Sequence, residues 1–295
     1  MTLINLKRAD FSDLTAVNFA AELNQLKLKG AVRLWNSTQI EARAIFNQEL
    51  QKEVQKSFSS NDFYGDLIKQ TKSSQESFQL PVILSSILSI IATALILPQL
   101  DLSADMKNIL GLIGLFGPFL FIGLNILFPE LRFKFQAQSA EKNAINQMER
   151  ICYHEAGHLL AGYLLGIPVL SYDISGERDA GTAIEIPQDQ VDPNLNSKFL
   201  GAILALAMSG VVAESLRFGN ALGGSEDFSL AYSLLREMNV PSSKREGYLK
   251  SGILQSLILL NQHRDSLDEL ATTMSESKDL VECIEAIESS ARRPI

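Results

Sequence analysis

Residues 151–163 read ICYHEAGHLLAGY. The chain holds 3 histidines in 295 residues, and two of them, His154 and His158, fall here around Glu155. Outward from this stretch, AEKNAINQMERICYHEAGHLLAGYLLG (140–166) reads as one long helix that stops at Gly166, with Pro168 just beyond. On a helix, positions i and i+4 share a face, so both imidazoles can reach one metal ion, with Glu155 beside it as general base. Zinc held by three protein ligands keeps a fourth position for water and lowers the pKa of that water to about 7. Glu155 is then the acceptor of the proton as the water attacks a peptide carbonyl.

The third ligand should be His, Asp or Glu. An extended His-x-x-Gly-x-x-His pattern does not continue from His158, because Ala161 and Leu164 occupy the next two places and the glycine is Gly162. Later acids include Glu177, Glu185 and Glu214. The best placed lie in GGSEDF (223–228), where Glu226 and Asp227 follow a glycine pair and open a helix. Spacing leaves these two equal, since acids also sit at helix starts merely to cap them. Cys152 reads as a packed small hydrophobe, and His263, alone on a charged helix, as a surface residue without ligands to join.

Around these residues, VLSYDISGERDAGTAIEIP (169–187) alternates like a small β-hairpin about a glycine-containing turn. SKFLGAILALAMSGVVAESLRFG (197–219) is a strongly apolar helix, and GGSEDFSLAYSLLREM (223–238) continues as another. Two more helices are expected over 243–262 and 265–288.

Towards the N-terminus, Ser77–Leu100 and Asn108–Pro129 contain no charged residue. Each is long enough for a membrane-spanning helix, which needs about 20 residues for a core of about 30 Å. The connection DLSADMK is short, so spans at about 78–100 and 108–129 would form a transmembrane hairpin over 77–129. Pro81 and Pro98 lie near the ends of the first span, and spanning helices tolerate the Gly111, Gly114, Gly117 and Pro118 interruptions of the second. Lys69 and Lys72 precede the pair and Arg132 and Lys134 follow it, whereas the connection has only Lys107. The positive-inside rule then puts both termini, and everything after residue 130, on the cytoplasmic or stromal face.

Residues 1–75 read as a helical N-terminal region without chemistry of its own. FSDLTAVNFAAELNQLKLKG ends on Gly30, and Thr38 with Glu41 fits a capping box before IEARAIFNQELQKEVQKSF. The first residues, MTLINLKRADFSDL, have no apolar run of signal-peptide length and carry acids early, so the expectation is a chain that starts on the side where it was made or has already been processed. The net charge of −8 speaks against a nucleic-acid partner. Two distant cysteines, Cys152 and Cys283, imply no disulfide framework and fit a reducing compartment.

Four segments in order, YHEAGHLLAGYLL, GTAIEIP, SGVVAESLRFG and GGSEDFSLA, resemble the peptidase domain of the FtsH-type zinc metalloproteases, and LLNQHRDSLDELATTMSESKDL is similar to that family's final helices. The resemblance covers roughly residues 140–288. It implies zinc as cofactor, His154, His158 and Asp227 as its ligands, Glu155 as the base, and Glu214 as an acid behind the ligands. It also implies that strand Gly181, Thr182, Ala183 and Ile184 pairs with an extended substrate through backbone groups.

The departures are informative. The family's arginine in the central helix is Val211 here, no Gly-x-x-x-x-Gly-Lys-Ser/Thr phosphate-binding sequence occurs, and the hairpin loop is too short for the usual domain between spans. The chain therefore looks like the ATPase-free membrane peptidases of cyanobacteria and plastids, which implies a thylakoid or similar membrane and no nucleotide site. The expected architecture is mainly α: the 1–75 region, the hairpin, and a helical zinc peptidase domain at 136–290 with a small β-hairpin.

Three functions compete at this level. The first is a membrane-anchored zinc endopeptidase that hydrolyses loose or unfolded, membrane-associated proteins without ATP of its own. The second is a zinc-binding but proteolytically silent regulator or assembly partner of FtsH-type ATPase complexes, or of further copies of itself. The third is an intramembrane protease, which the motif's position about 25 residues past the second span, among Glu141, Lys142, Glu149 and Arg150, disfavours.

Overall fold

The computed structural model describes residues 16–127, 141–174, 181–184 and 197–290. In chain order these form helices α1 (Ala16–Leu28), α2 (Asn47–Val54) and α3 (Phe63–Ile96), a 3-10 turn at Leu97–Gln99, and α4 (Ala104–Leu127). Then come α5 (Glu141–Leu165), strands β1 (Val169–Asp173) and β2 (Gly181–Ile184), and α6 (Ser197–Phe218). Helices α7 (Ser225–Glu237), α8 (Ser242–Gln262), α9 (Arg264–Ser275) and α10 (Leu280–Ser290) complete a mainly helical chain. It divides into two compact units, Met1–Thr71 with Asn146–Ile295, and Lys72–Ile145. The acids Glu177 and Glu185, the basic residues Arg132 and Lys134, and the last residues of both the expected second span and the 181–187 strand lie outside the described residues.

The first unit is built around α6. Its sequence is apolar all round, which suits a helix with no solvent face, and from Leu200 to Ser215 only Ala202 escapes full burial. Among the described residues, α6 is the one helix long and apolar enough to cross a membrane, but 83 % of that stretch is buried within the protein, as in a core helix. Helix α5 packs closely on it. A Cβ at Gly157 would stand 2.5 Å from the Ser209 carbonyl oxygen and 2.7 Å from Ala213 Cβ, so only glycine lets the two backbones meet there. On the other flank, Ser256 of α8 donates its hydroxyl to the Ala205 carbonyl.

Residues 16–71 share this core rather than standing apart from it. Trp35 is 1 % exposed, packs against Phe19 and Tyr163, and donates its indole N–H to Asn24 Oδ1 at 2.9 Å. The C-terminus of α5 closes with a Schellman pair, Ile167 N–H to the Gly162 carbonyl at 2.9 Å and Gly166 N–H to that of Tyr163 at 3.3 Å. The N–H groups of Asn36, Ser37 and Thr38 then satisfy the last carbonyls, those of Tyr163 and Leu164, each at 3.0 Å. Next to this junction, the buried Glu288 carboxylate accepts from the Arg33 and Leu34 backbone N–H groups and from the Tyr163 hydroxyl.

Two helix expectations change. The capping pattern at Thr38 and Glu41 does not start a helix; α2 begins only at Asn47. The intervening backbone bonds to distant elements instead, Ala42 N–H to the Ser197 carbonyl at 2.8 Å and Ile45 N–H to that of Gly247 at 3.1 Å. These tertiary partners override a weak local preference. The expected 265–288 helix is two helices. Ser277 takes a positive φ of 55°, and a reciprocal capping box restarts the helix: Glu282 N–H bonds Asp279 Oδ1 at 2.9 Å and Asp279 N–H bonds Glu282 Oε2 at 3.3 Å.

Strands β1 and β2 pair antiparallel in a two-stranded sheet, with Val169 opposite Ile184 and Asp173 opposite Gly181.

In the second unit, α4 and the later part of α3 are joined by a short connection. Ser89 Oγ donates to the Gly114 carbonyl at 3.2 Å, and a Cβ at Gly114 would collide with the Thr93 side chain, so small residues bring these helices together. Their outer surfaces are apolar: Leu88, Leu95 and Ile113 are 68 %, 67 % and 61 % exposed.

Candidate metal centre

Helix α5 carries His154 and His158 one turn apart, and α7 brings Asp227 to them from about seventy residues on. One ligand atom from each of the three lies within 4.8 Å of the others, so the group can hold a metal ion. His154 Nε2 is 3.1 Å from Asp227 Oδ2, His158 Nε2 is 3.4 Å from Oδ1, and the two Nε2 atoms are 3.2 Å apart. Glu226, the equal candidate by spacing, is exposed on the neighbouring face of α7.

The far side of each ring decides what the near side can do. His158 Nδ1 is 2.9 Å from the Leu206 carbonyl, which also accepts from the Ser209 hydroxyl. His154 Nδ1 is 3.3 Å from Glu214 Oε1. A carbonyl and a carboxylate can only accept, so both protons belong on Nδ1 in the neutral rings, and both Nε2 lone pairs point into the centre. Asp227 Oδ2 is buried and accepts no hydrogen bond of good geometry. Two imidazole nitrogens and an orphaned carboxylate oxygen converging in this way fit a divalent cation.

In the metal-free protein the same groups bias one another's protonation. Burial alone pushes the His154 pKa down, but the Asp227 and Glu214 carboxylates more than offset this and hold it well above the usual imidazole value. Burial likewise favours a neutral Asp227, yet the facing His158 and His154 hold its carboxyl well below the ordinary range. A bound cation would supply the positive charge that these carboxylates otherwise draw from His154.

Glycines shape the centre. A Cβ at Gly210 would stand 2.5 Å from Nε2 of both histidines. Gly224, at φ 92°, turns the chain into α7, and a Cβ there would strike Val211 Cγ1. Val211 is fully buried, packed on that turn.

Glu155 follows His154 on α5 and is 4 % exposed; its charge is felt at His154. Residues Gly181–Ile184 form β2, whose outer edge has no ladder partner among the described residues, and none of the described contacts joins it to the three ligand residues. Cys152 is buried and His263 sits between α8 and α9, where burial lowers its pKa.

The sequence reading missed the supporting groups: the Leu206 carbonyl, Ser209, Gly210, Arg150 with its partner Asn220, and the Leu222 N–H that Glu214 accepts. Only Arg150 carried a signal, since it lies four residues before His154 and hence on the same helix face. No family model matches the chain, and no curated protein matches it.

Proposed function

We propose that the chain is a membrane-anchored zinc metalloendopeptidase that hydrolyses loose or unfolded protein segments without an ATPase of its own. The observation that carries this reading is the convergence of His154 Nε2, His158 Nε2 and the orphaned Asp227 Oδ2, with Glu155 next in sequence to the first ligand. The resemblance of the four ordered segments to FtsH-type peptidases supports the same reaction.

In this reading His154, His158 and Asp227 hold the ion. When bound, zinc supplies an electrophile and a water of lowered pKa. Glu155 accepts and returns the proton. Glu214 and the Leu206 carbonyl fix the two rings so that Nε2, not Nδ1, faces inward. The edge of β2 that has no ladder partner among the described residues would offer backbone groups to an extended substrate.

The membrane part of the proposal rests on α3 and α4. Apolar side chains exposed as fully as Leu88, Leu95 and Ile113 are costly in water, and the charge-free stretches are long enough for two spans. Basic residues flanking the pair favour both termini and the peptidase part on the cytoplasmic or stromal face.

Purified protein loaded with zinc should cleave casein, and Glu155→Gln should abolish cleavage while retaining the metal. Equal cleavage by Glu155→Gln would sink the enzymatic reading. Metal binding without cleavage in the wild type would instead point to a silent zinc-bearing partner of ATPase complexes.

A further inference from the structure

The two oxygens of Glu214 have different duties. Oε1 faces His154 Nδ1, while Oε2 accepts from the Leu222 backbone N–H at 2.8 Å and from Arg150 Nη1 at 3.4 Å. Arg150 reaches further. Nη1 also donates to the Asn220 carbonyl at 3.3 Å, and Nη2 donates to Asn220 Oδ1 at 2.8 Å. Its guanidinium lies over the Phe218 ring, 4.4 Å from the centroid. Asn220 and Leu222 belong to the connection between α6 and α7, which Gln70 also pins by accepting from Ala221 N–H at 3.1 Å. That connection ends in the Gly223–Gly224 turn, which delivers Asp227 to the histidines.

Both acids that face His154 therefore depend on one side chain. Glu214 is held by Arg150 directly, and Asp227 through the Asn220 connection. The pair is poorly solvated: the Arg150 side chain is 19 % exposed and that of Glu214 5 %. In such surroundings, removing one partner leaves the other charge uncompensated. Position 211 supplies no cation, being a buried valine. The positive charge beside Glu214 comes from α5, one turn before the first ligand.

We propose that Arg150 is a positioning residue for metal binding, its forked guanidinium setting the His154 ring through Glu214 and the Asp227 carboxylate through Asn220. The proposal rests on the metal-site reading and is independent of whether the protein cleaves peptides. A lysine offers a point charge rather than a planar fork and cannot bridge Glu214 and Asn220 in the same way.

The test measures zinc dissociation constants by competition with a chromophoric chelator, on the full chain in detergent, beside the melting temperature of the metal-free protein. Arg150→Met is expected to weaken zinc binding roughly 10- to 100-fold, as loss of groups behind metal ligands generally does. Arg150→Lys should recover only part of the affinity, and Asn220→Ala should lose part of it. Arg217→Met, which removes an exposed ion pair with Glu149 outside the centre, should bind zinc as the wild type does. A folded Arg150→Met with wild-type zinc affinity overturns the proposal. Should that variant not fold, Asn220→Ala decides, and undiminished affinity there overturns it. A wild-type chain that takes up no zinc overturns the metal-site reading and this proposal together.

Discussion

Gly210 of α6 faces His154 of α5 so closely that a single methyl group on its α-carbon would stand 2.5 Å from the ring's Nε2. The same methyl group would stand equally close to His158 Nε2. Gly210→Ala is therefore expected to fill the space a cation needs. Elemental analysis of the purified variant should show loss of stoichiometric metal, while circular dichroism should show the helical content retained. Full metal occupancy would refute this view of the centre.

Asp227 should be needed for the metal to stabilise the fold. A ligand that binds only the native state adds about 2.7 kcal/mol at a hundredfold excess over its dissociation constant. Removing metal with EDTA should lower the wild-type melting temperature by several degrees, an effect of about this size for a chain of this length. Asp227→Ala should melt at the same temperature with or without EDTA.

Metal-free protein should respond to pH through the centre in a defined direction. His154 has its folded pKa raised, so its contribution is complete below the ordinary imidazole value of about 6.5 and fades as pH rises through the folded value. Asp227 has its folded pKa lowered, so its contribution exists above the ordinary carboxylate value of about 3.9 and is lost on strong acidification. Melting curves with EDTA should accordingly fall on the alkaline side. Asp227→Asn should flatten that fall, because it removes the main charge that holds the His154 proton.

Glu288 should matter for stability and not for the chemistry. Its carboxylate serves two backbone N–H groups and the Tyr163 hydroxyl in a buried setting. Glu288→Ala leaves those donors unpaired and is expected to cost about 2–4 kcal/mol. Denaturant titration measures this, and zinc affinity at a temperature where the variant is folded should be unchanged.

The thiols should report unfolding. Burial pushes Cys152 and Cys283 up to about 11, and both are 1 % exposed or less. At pH 8 neither should react with iodoacetamide in the native protein, and both should react once denaturant unfolds it. Fast labelling of Cys152 in the native state would show that the helix bearing the histidines opens locally.

Much of this centre can be read along the chain because its chemistry is local. His154 and His158 share a face through helical spacing alone, and Glu155 comes with them. Asp227 is harder, since Glu226 has the same chemistry one residue away, and only the direction of α7 separates them. The Leu206 carbonyl and Gly210 carry no signal of their own, for their roles arise where two helices meet. The same limit explains residues 38–46. Thr38 and Glu41 spell a helix start, but bonds from Ala42 to Ser197 and from Ile45 to Gly247 tie the backbone elsewhere and no helix forms before Asn47. In contrast, Asp279 and Glu282, at the same spacing, do form a reciprocal capping box, at a break that the apolar pattern over 265–288 does not reveal.

The contact between Arg33 and Glu288 joins residues 255 positions apart. The segments that meet there leave the ribosome 255 residues apart, with the apolar pair α3 and α4 emerging between them. Trp35 and its neighbours must wait, partly uncovered, until α10 arrives, because contacts so distant in sequence form late and slowly. The histidines on α5 exist as a helix face well before their surroundings are finished. The junction of Arg33, Tyr163 and Glu288 is therefore completed only after residue 288 has been made, long after the histidine-bearing helix has left the ribosome.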